Sequence, residues 1–238
     1  MQFKVVDVGV PVRRRPVTLA VARLVDVSDH VSSLDGLKPP SGPTRADRPQ
    51  PPVPSSARFE WRNPRVVFEK NSAWSWDANP FVSSKEFAGL KIMTMLVSNW
   101  DIRGAESSSP NTTILRVKGN GESEELHYVV NDWGGSMGRW GVPHSKWDCT
   151  GFREQTPDFV KGLNKDGTIR FGYSGTEKAV REGITPDHVR WLMNYLGKIT
   201  DDQIRDGLKA SGGSANDVDC FTSSIRSRIE QLRAISSR

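Results

Sequence analysis

Long apolar runs are missing from this chain of 238 residues. None approaches the ~20 residues that span a bilayer. The stretch Pro16 to Val27 is broken by Arg23 and Asp26, which is too short and too charged for a signal-peptide core. A soluble, cytoplasmic protein with no membrane span is the expectation. Cysteine is nearly absent: Cys149 and Cys220 offer neither a disulfide framework nor the spacing of a thiolate metal site. His30, His127, His144 and His188 are scattered without helical ligand spacing, which argues against a zinc site. No strong excess of one charge exists either. With 33 Lys and Arg against 28 Asp and Glu the net charge is +5, a diffuse basicity that fits phosphorylated ligands or nucleic acid and selects neither.

Glu, Asn, Ile, Trp and Tyr are all missing from residues 1–57, although each appears later. Seven of the 15 prolines fall between Pro39 and Pro54, a composition that makes an extended linker because it has few side chains to bury and few donors to pair. Ahead of it, the valine-rich runs Phe3 to Val10 and Val17 to Val27 suit two short strands. So sharp a shift suggests an unrelated segment, or an N-terminus translated from a misassigned start or frame. Two units are therefore expected, an irregular segment 1–57 and a folded domain 58–238.

From Arg58 the chain has the patterning of a core. Trp74-Ser75-Trp76-Asp77-Ala78-Asn79-Pro80-Phe81 reads as an aromatic turn into a helix, and Ser83-Ser84-Lys85-Glu86 has capping-box spacing. Phe87, Leu90, Met93 (or Thr94) and Val97 recur at helical spacing, with Ile92, Met95 and Leu96 widening the stripe. That helix ends at Ser98 or Asn99. Two strand-like runs, Thr113 to Val117 and Leu126 to Val130, flank Lys118-Gly119-Asn120-Gly121, a hairpin signal. A second hairpin is expected to turn at Asn164-Lys165-Asp166-Gly167. Thr185-Pro186 and Thr200-Asp201-Asp202-Gln203 open two further helices. A last helix from about Asn216 carries Val218, Phe221, Ile225, Ile229 and Leu232 on one face. The fold class is α+β, mainly helical with one or two β-hairpins.

The chemistry sits around the first hairpin. Asn99-Trp100-Asp101 follows the helix, and Asn131-Asp132-Trp133-Gly134-Gly135 follows the hairpin. Helix, Asp loop, hairpin and Asp-aromatic-Gly is the layout that phosphoryl-transfer enzymes of the protein-kinase type use, one carboxylate orienting the acceptor and the other holding the metal.

Trp76 to Phe81, Glu86-Phe87-Ala88-Gly89-Leu90-Lys91, Asn99-Trp100-Asp101 and Asn131 to Gly138 also carry a family resemblance, which extends through Ile184-Thr185-Pro186, Arg190-Trp191 and Leu196 to Arg228-Ile229. Over roughly residues 60–235 the chain resembles a family of uncharacterised bacterial proteins with a protein-kinase-like or phosphatidylinositol-kinase-like fold. The resemblance implies a kinase C-lobe that uses ATP and Mg²⁺ to phosphorylate a hydroxyl acceptor. Asp101 is then the catalytic base or orienter, Asp132 a metal ligand, and Gly134 and Gly135 the cofactor-binding glycines that let the backbone turn.

The departures are as informative. The kinase pattern has a metal-binding asparagine five residues after the aspartate. That position here is Glu106, and Asn111 is the candidate for a shifted ligand. An N-lobe needs a strand lysine, a helix glutamate to pair it and a glycine-rich phosphate cover. In residues 1–57 only Lys4 and Lys38 are lysines and there is no glutamate, while Lys70 lies nearer a hinge between lobes. Weak or absent activity is expected. The rivals are a pseudokinase-type binding or scaffold module, and a basic nucleic-acid-associated protein using the arginines and exposed tryptophans. Arg13-Arg14-Arg15 is a minimal basic cluster, and Arg226, Arg228 and Arg233 are read first as a solvated helix face. Trp74, Trp76, Trp140 and Trp147 are read first as packing, with ligand stacking as the alternative.

Overall fold

A computed structural model describes residues 17–19, 66–68, 72–118, 124–142 and 144–237. The Pro-rich segment, Arg13 to Arg15, Lys4, Lys38 and Lys70 lie outside the described residues. The architecture is α+β. A four-stranded sheet has the order β1-β4-β3-β2, formed by β1 (Val17–Leu19), β2 (Val66–Phe68), β3 (Thr112–Lys118) and β4 (Glu124–Val130). Strands β3 and β4 are the expected antiparallel hairpin, in register from Thr112 opposite Val130 to Lys118 opposite Glu124. Strand β2 adds antiparallel to β3, and β1 adds parallel to β4.

Helix α1 (Lys85–Leu96) is the centre of the main core, with Phe87, Leu90, Ile92, Met95 and Leu96 buried. Apolar side chains round most of its circumference are what a fully enclosed helix needs. The expected Ser83/Glu86 capping box does not form. A turn closed by Ser84 N donating to Phe81 O (2.8 Å) makes Ser84 the cap, and its hydroxyl accepts from Phe87 N at 3.1 Å.

The second hairpin pairs β5 (Val160–Leu163) with β6 (Ile169–Phe171), and Gly167 takes the positive φ of +82° that its turn requires. Between the hairpins lies the short helix α2 (Cys149–Gln155). A 3₁₀ turn, Ala179–Arg181, follows β6, and its carbonyls take up the buried Lys91 ammonium through Ala179 O (2.8 Å) and nearby Glu182 O (3.2 Å). Burial pushes the Lys91 ammonium below its ordinary range.

Helices α3 (Pro186–Leu196), α4 (Asp201–Ala210) and α5 (Ala215–Ser236) complete the fold, with α3 and α4 packed on α5 and α1 packed on α3. Thr185 and Thr200 cap as their sequences predict, each in a reciprocal box. His188 is the unexpected partner of Thr185, its Nδ1 accepting from Thr185 N at 3.2 Å.

The two cysteines, unpromising as a framework, form a disulfide between α2 and α5, with Cα atoms 6.2 Å apart. Pairing residues 71 positions apart depends on α2 packing against α5, which no local pattern announces. No described helix is long and apolar enough to cross a membrane.

Candidate functional site

Helix α1 ends in a way that aims the next three residues. Ser98 N donates to Met95 O (2.9 Å) and Asn99 N to Thr94 O (3.0 Å), the paired bonds of a Schellman motif. Ser98 takes the left-handed conformation at φ +49°, a position glycine usually fills. Its Oγ accepts from Arg228 Nη1 at 2.8 Å, a bond that glycine could not make. The chain then passes into Asn99, which is fully buried.

Asn99 joins the two motifs. Its Nδ2 donates to Asp132 O (3.0 Å), and its Oδ1 accepts from Asp101 N (3.2 Å). Beside it, Trp100 N donates to Gly135 O at 3.0 Å. The Asp101 loop and the Asp132 loop are therefore one unit. Their closeness also explains Gly135: a Cβ there would lie 2.8 Å from Asp101 Cβ and 3.3 Å from Asp101 N. Neither Gly134 nor Gly135 is among the positive-φ glycines. Both lie in a turn, as expected, and Gly135 also answers to close approach of the Asp101 loop.

The hairpin delivers the remaining residue. Asn111 immediately precedes β3 and Asn131 immediately follows β4, and Asn131 N donates to Asn111 O at 3.1 Å. Asn111 and Asp132 thus stand at the same end of the hairpin. The Asn111 Nδ2 donates to the Asp101 carbonyl, which ties Asn111 to the Asp101 loop. Asp132 Oδ1 accepts from Gly134 N at 2.7 Å. Glu106 is exposed, with Oε2 folded over Gly104.

Arg103 is a residue that the sequence reading passed over, although Asp-x-Arg was its signal. Arg103 Nε lies 2.9 Å from Asp101 Oδ1, and Nη2 is 3.4 Å from Oδ2. Both side chains are about one-third exposed (35% and 32%), so solvent screens the pair and it orients Asp101 more than it stabilises the fold.

Behind the loop, Tyr173 donates its hydroxyl to Asn99 O, while Thr176 N (3.1 Å) and Oγ1 (2.7 Å) both donate to Trp100 O. Burial drives the Tyr173 phenol far above its ordinary range, so it remains a donor. Trp76 Nε1 reaches Ile102 O at 2.7 Å and Trp74 Nε1 reaches Val129 O at 3.0 Å. Both indoles are buried, which bears out the packing reading for this pair. Trp147 packs on Phe221, with ring centres 5.1 Å apart, and Trp140 stands at the surface 6.2 Å from Trp100.

The chain matches no family model, no curated protein and no solved structure. Its own geometry is the whole basis for a functional reading.

One expectation about charge is corrected. Arg228 was assigned to a solvated helix face, yet it is 2% exposed and its guanidinium stacks 3.6 Å above Phe152. Its spacing from Phe221, Ile225 and Leu232 puts it on the buried stripe, a signal that its charge obscured. Arg226 pairs with Asp201 at 2.6 Å and Arg233 with Glu230 at 3.2 Å. As for metals, no group of three or more His, Cys, Asp or Glu suited to a metal is found among the described residues. Asp132 and Asn111, at one end of the hairpin, both carry side-chain oxygen, the donor type that Mg²⁺ takes.

Proposed function

We propose that residues 58–238 are a protein-kinase-like phosphotransferase C-lobe, of ATP γ-phosphoryl to hydroxyl type, with weak or absent activity in this chain. The observation that carries the reading is the Asn99 bridge, which makes the Asp101 and Asp132 loops one unit. Asp101 orients the acceptor hydroxyl and takes its proton at a carboxylate oxygen. Arg103 holds that carboxylate and brings positive charge to the place where phosphate must approach. Asp132 and Asn111 are the residues that would hold Mg²⁺, whose contribution is to neutralise phosphate charge. Activity is weak or absent because residues 1–57 carry no lysine–glutamate pair or glycine-rich cover in sequence. The setting that goes with ATP use is cytoplasmic.

One pair of observations favours a pseudokinase-type binding module as the second reading. Arg103 already engages Asp101, and Glu106 occupies the place of the usual asparagine. A nucleic-acid reading loses support because Arg226 and Arg233 are paired and Arg228 is buried.

Thermal unfolding in millimolar Mg²⁺-ATP separates these. A ligand bound with millimolar affinity and present at about ten times that concentration stabilises by about 1.4 kcal/mol, a rise of roughly 3–5 °C. The rise is expected for the parent chain and not for Asp132→Ala. No rise in either protein contradicts nucleotide binding, and tight salt-dependent binding to generic DNA points to the nucleic-acid class instead.

A further inference from the structure

Helix α5 fastens the candidate site at two points. Arg228 holds the end of α1 through Leu96 O (2.8 Å) and Ser98 Oγ (2.8 Å), and the later part of α2 through Phe152 O (2.8 Å). Two turns earlier, Cys220 is bonded to Cys149, the first residue of α2. Ser224 lies between them on the helix and donates to Cys220 O at 2.8 Å.

The N-terminal end of α2 anchors the loop that follows the Asp132 motif. Asp148, its cap, accepts from Gly151 N (3.0 Å) and from Ser145 Oγ (2.6 Å). These donors lower the Asp148 carboxyl below its ordinary range. Asp148 N donates to Met137 O (2.9 Å), and Met137 N donates to Val97 O (2.9 Å), one residue before Ser98. Arg139 and Ser145 exchange both backbone bonds at 3.0 Å. A continuous run of hydrogen bonds thus leads from the disulfide to the start of the Asp101 loop. Met137 (φ +58°) and Trp147 (φ +50°), neither of them glycine, bracket the segment in the left-handed region. Such conformations persist only where surrounding contacts impose them.

The two fasteners respond to different chemistry. The Arg228 contacts are indifferent to thiols, whereas a disulfide is not. We infer that the Cys149–Cys220 bond is a thiol-responsive latch on residues 136–149, tightening the site when closed and loosening it when open. Its consequence for phosphoryl transfer rests on the proposed function; the latch itself does not. A thiolate of a dithiol reductant attacks Sγ of Cys220, the less buried residue of the pair, and the bond to Cys149 breaks. Cys149 leaves as a thiolate and is protonated. The second thiol of the reductant then displaces Cys220, and the reductant departs as its own disulfide, two electrons having passed to the protein.

A latch differs from a staple in what survives its opening. Cys149 belongs to a small cluster with Phe152, Leu208, Val218 and Phe221, separate from the main core around α1. Phe152 stays under Arg228 and against Phe221, with ring centres 5.5 Å apart. Opening the bond therefore frees the first half of α2 and its preceding loop while the second half remains held. In a cytoplasmic setting disulfides are usually of this transient kind.

Hydrogen exchange on the full chain tests this, comparing the oxidised protein, the dithiothreitol-treated protein with both cysteines shown to be alkylatable, and Cys220→Ser. Exchange in residues 136–149 is expected to quicken by about tenfold or more in both opened forms, with α1, α3 and residues 152–163 unchanged. Acceleration across the whole chain makes the bond a staple and overturns the inference, as does unchanged exchange after verified reduction. Mg²⁺-ATP binding measured in parallel reports on the phosphotransferase reading alone, so either idea fails without the other.

Discussion

Replacing Arg228 with methionine is expected to destabilise the domain by about 3 kcal/mol, a fall in the unfolding temperature of roughly 6–12 °C. Methionine preserves much of the apolar volume over Phe152 and Phe159, so the loss falls on the polar contacts. Phe152 O and Ser98 Oγ lose a charged donor at 2.8 Å each. Leu96 O loses the same charged donor, also at 2.8 Å. Burial pushes the guanidinium pKa down to about 9, so it remains protonated at neutral pH, held by carbonyls at the negative end of α1. Arg228→Lys is expected to recover less than half of the loss, since one ammonium cannot fork between α1 and α2. Chemical denaturation measures both variants, and a cost below about 1 kcal/mol for methionine contradicts the role assigned to Arg228.

Gly135→Ala is expected to cost about 2–3 kcal/mol and to separate the two aspartate loops. The added methyl would sit 2.8 Å from Asp101 Cβ, and this neighbour is anchored by its own backbone rather than being the free end of a side chain. Relief requires the loops to part, which breaks the Trp100 N to Gly135 O bond. Gly207→Ala is the contrasting substitution. Its Cβ meets nothing within 4 Å on an exposed face of α4, so alanine is expected to stabilise by about 0.5–1 kcal/mol through helix propensity. Equal effects of the two substitutions would show that Gly135 is not a contact between loops.

The elements legible in the sequence are those set by local chemistry. Thr185-Pro186 and Thr200 mark helix starts because each hydroxyl satisfies an amide only three residues away, while the Ser83-Ser84 pair marked the start of α1 to within one residue. Asn164 to Gly167 mark a turn for the same local reason. In the site, Asp101, Asp132 and Asn111 could be named because a helix and a hairpin fix the order in which they arrive. Long-range complementarity was not legible. Arg228 looks like its neighbours, half-buried Arg226 and exposed Arg233, until α1 and α2 close over it. Asn99 stood inside a quoted motif, but its part in joining two loops depends on the Asp132 carbonyl 33 residues away. Cys149 and Cys220 likewise become a pair only through helix packing.

The central claim is that the two aspartate loops form one cation–nucleotide site. Paramagnetic broadening by Mn²⁺-ATP, followed residue by residue in the NMR spectrum of the full chain, tests it most directly because weak binding suffices. Broadening centred on residues 99–103, 111 and 131–135, and lost in Asp132→Ala, is the predicted result. Broadening centred elsewhere, or unchanged by Asp132→Ala, would contradict the claim.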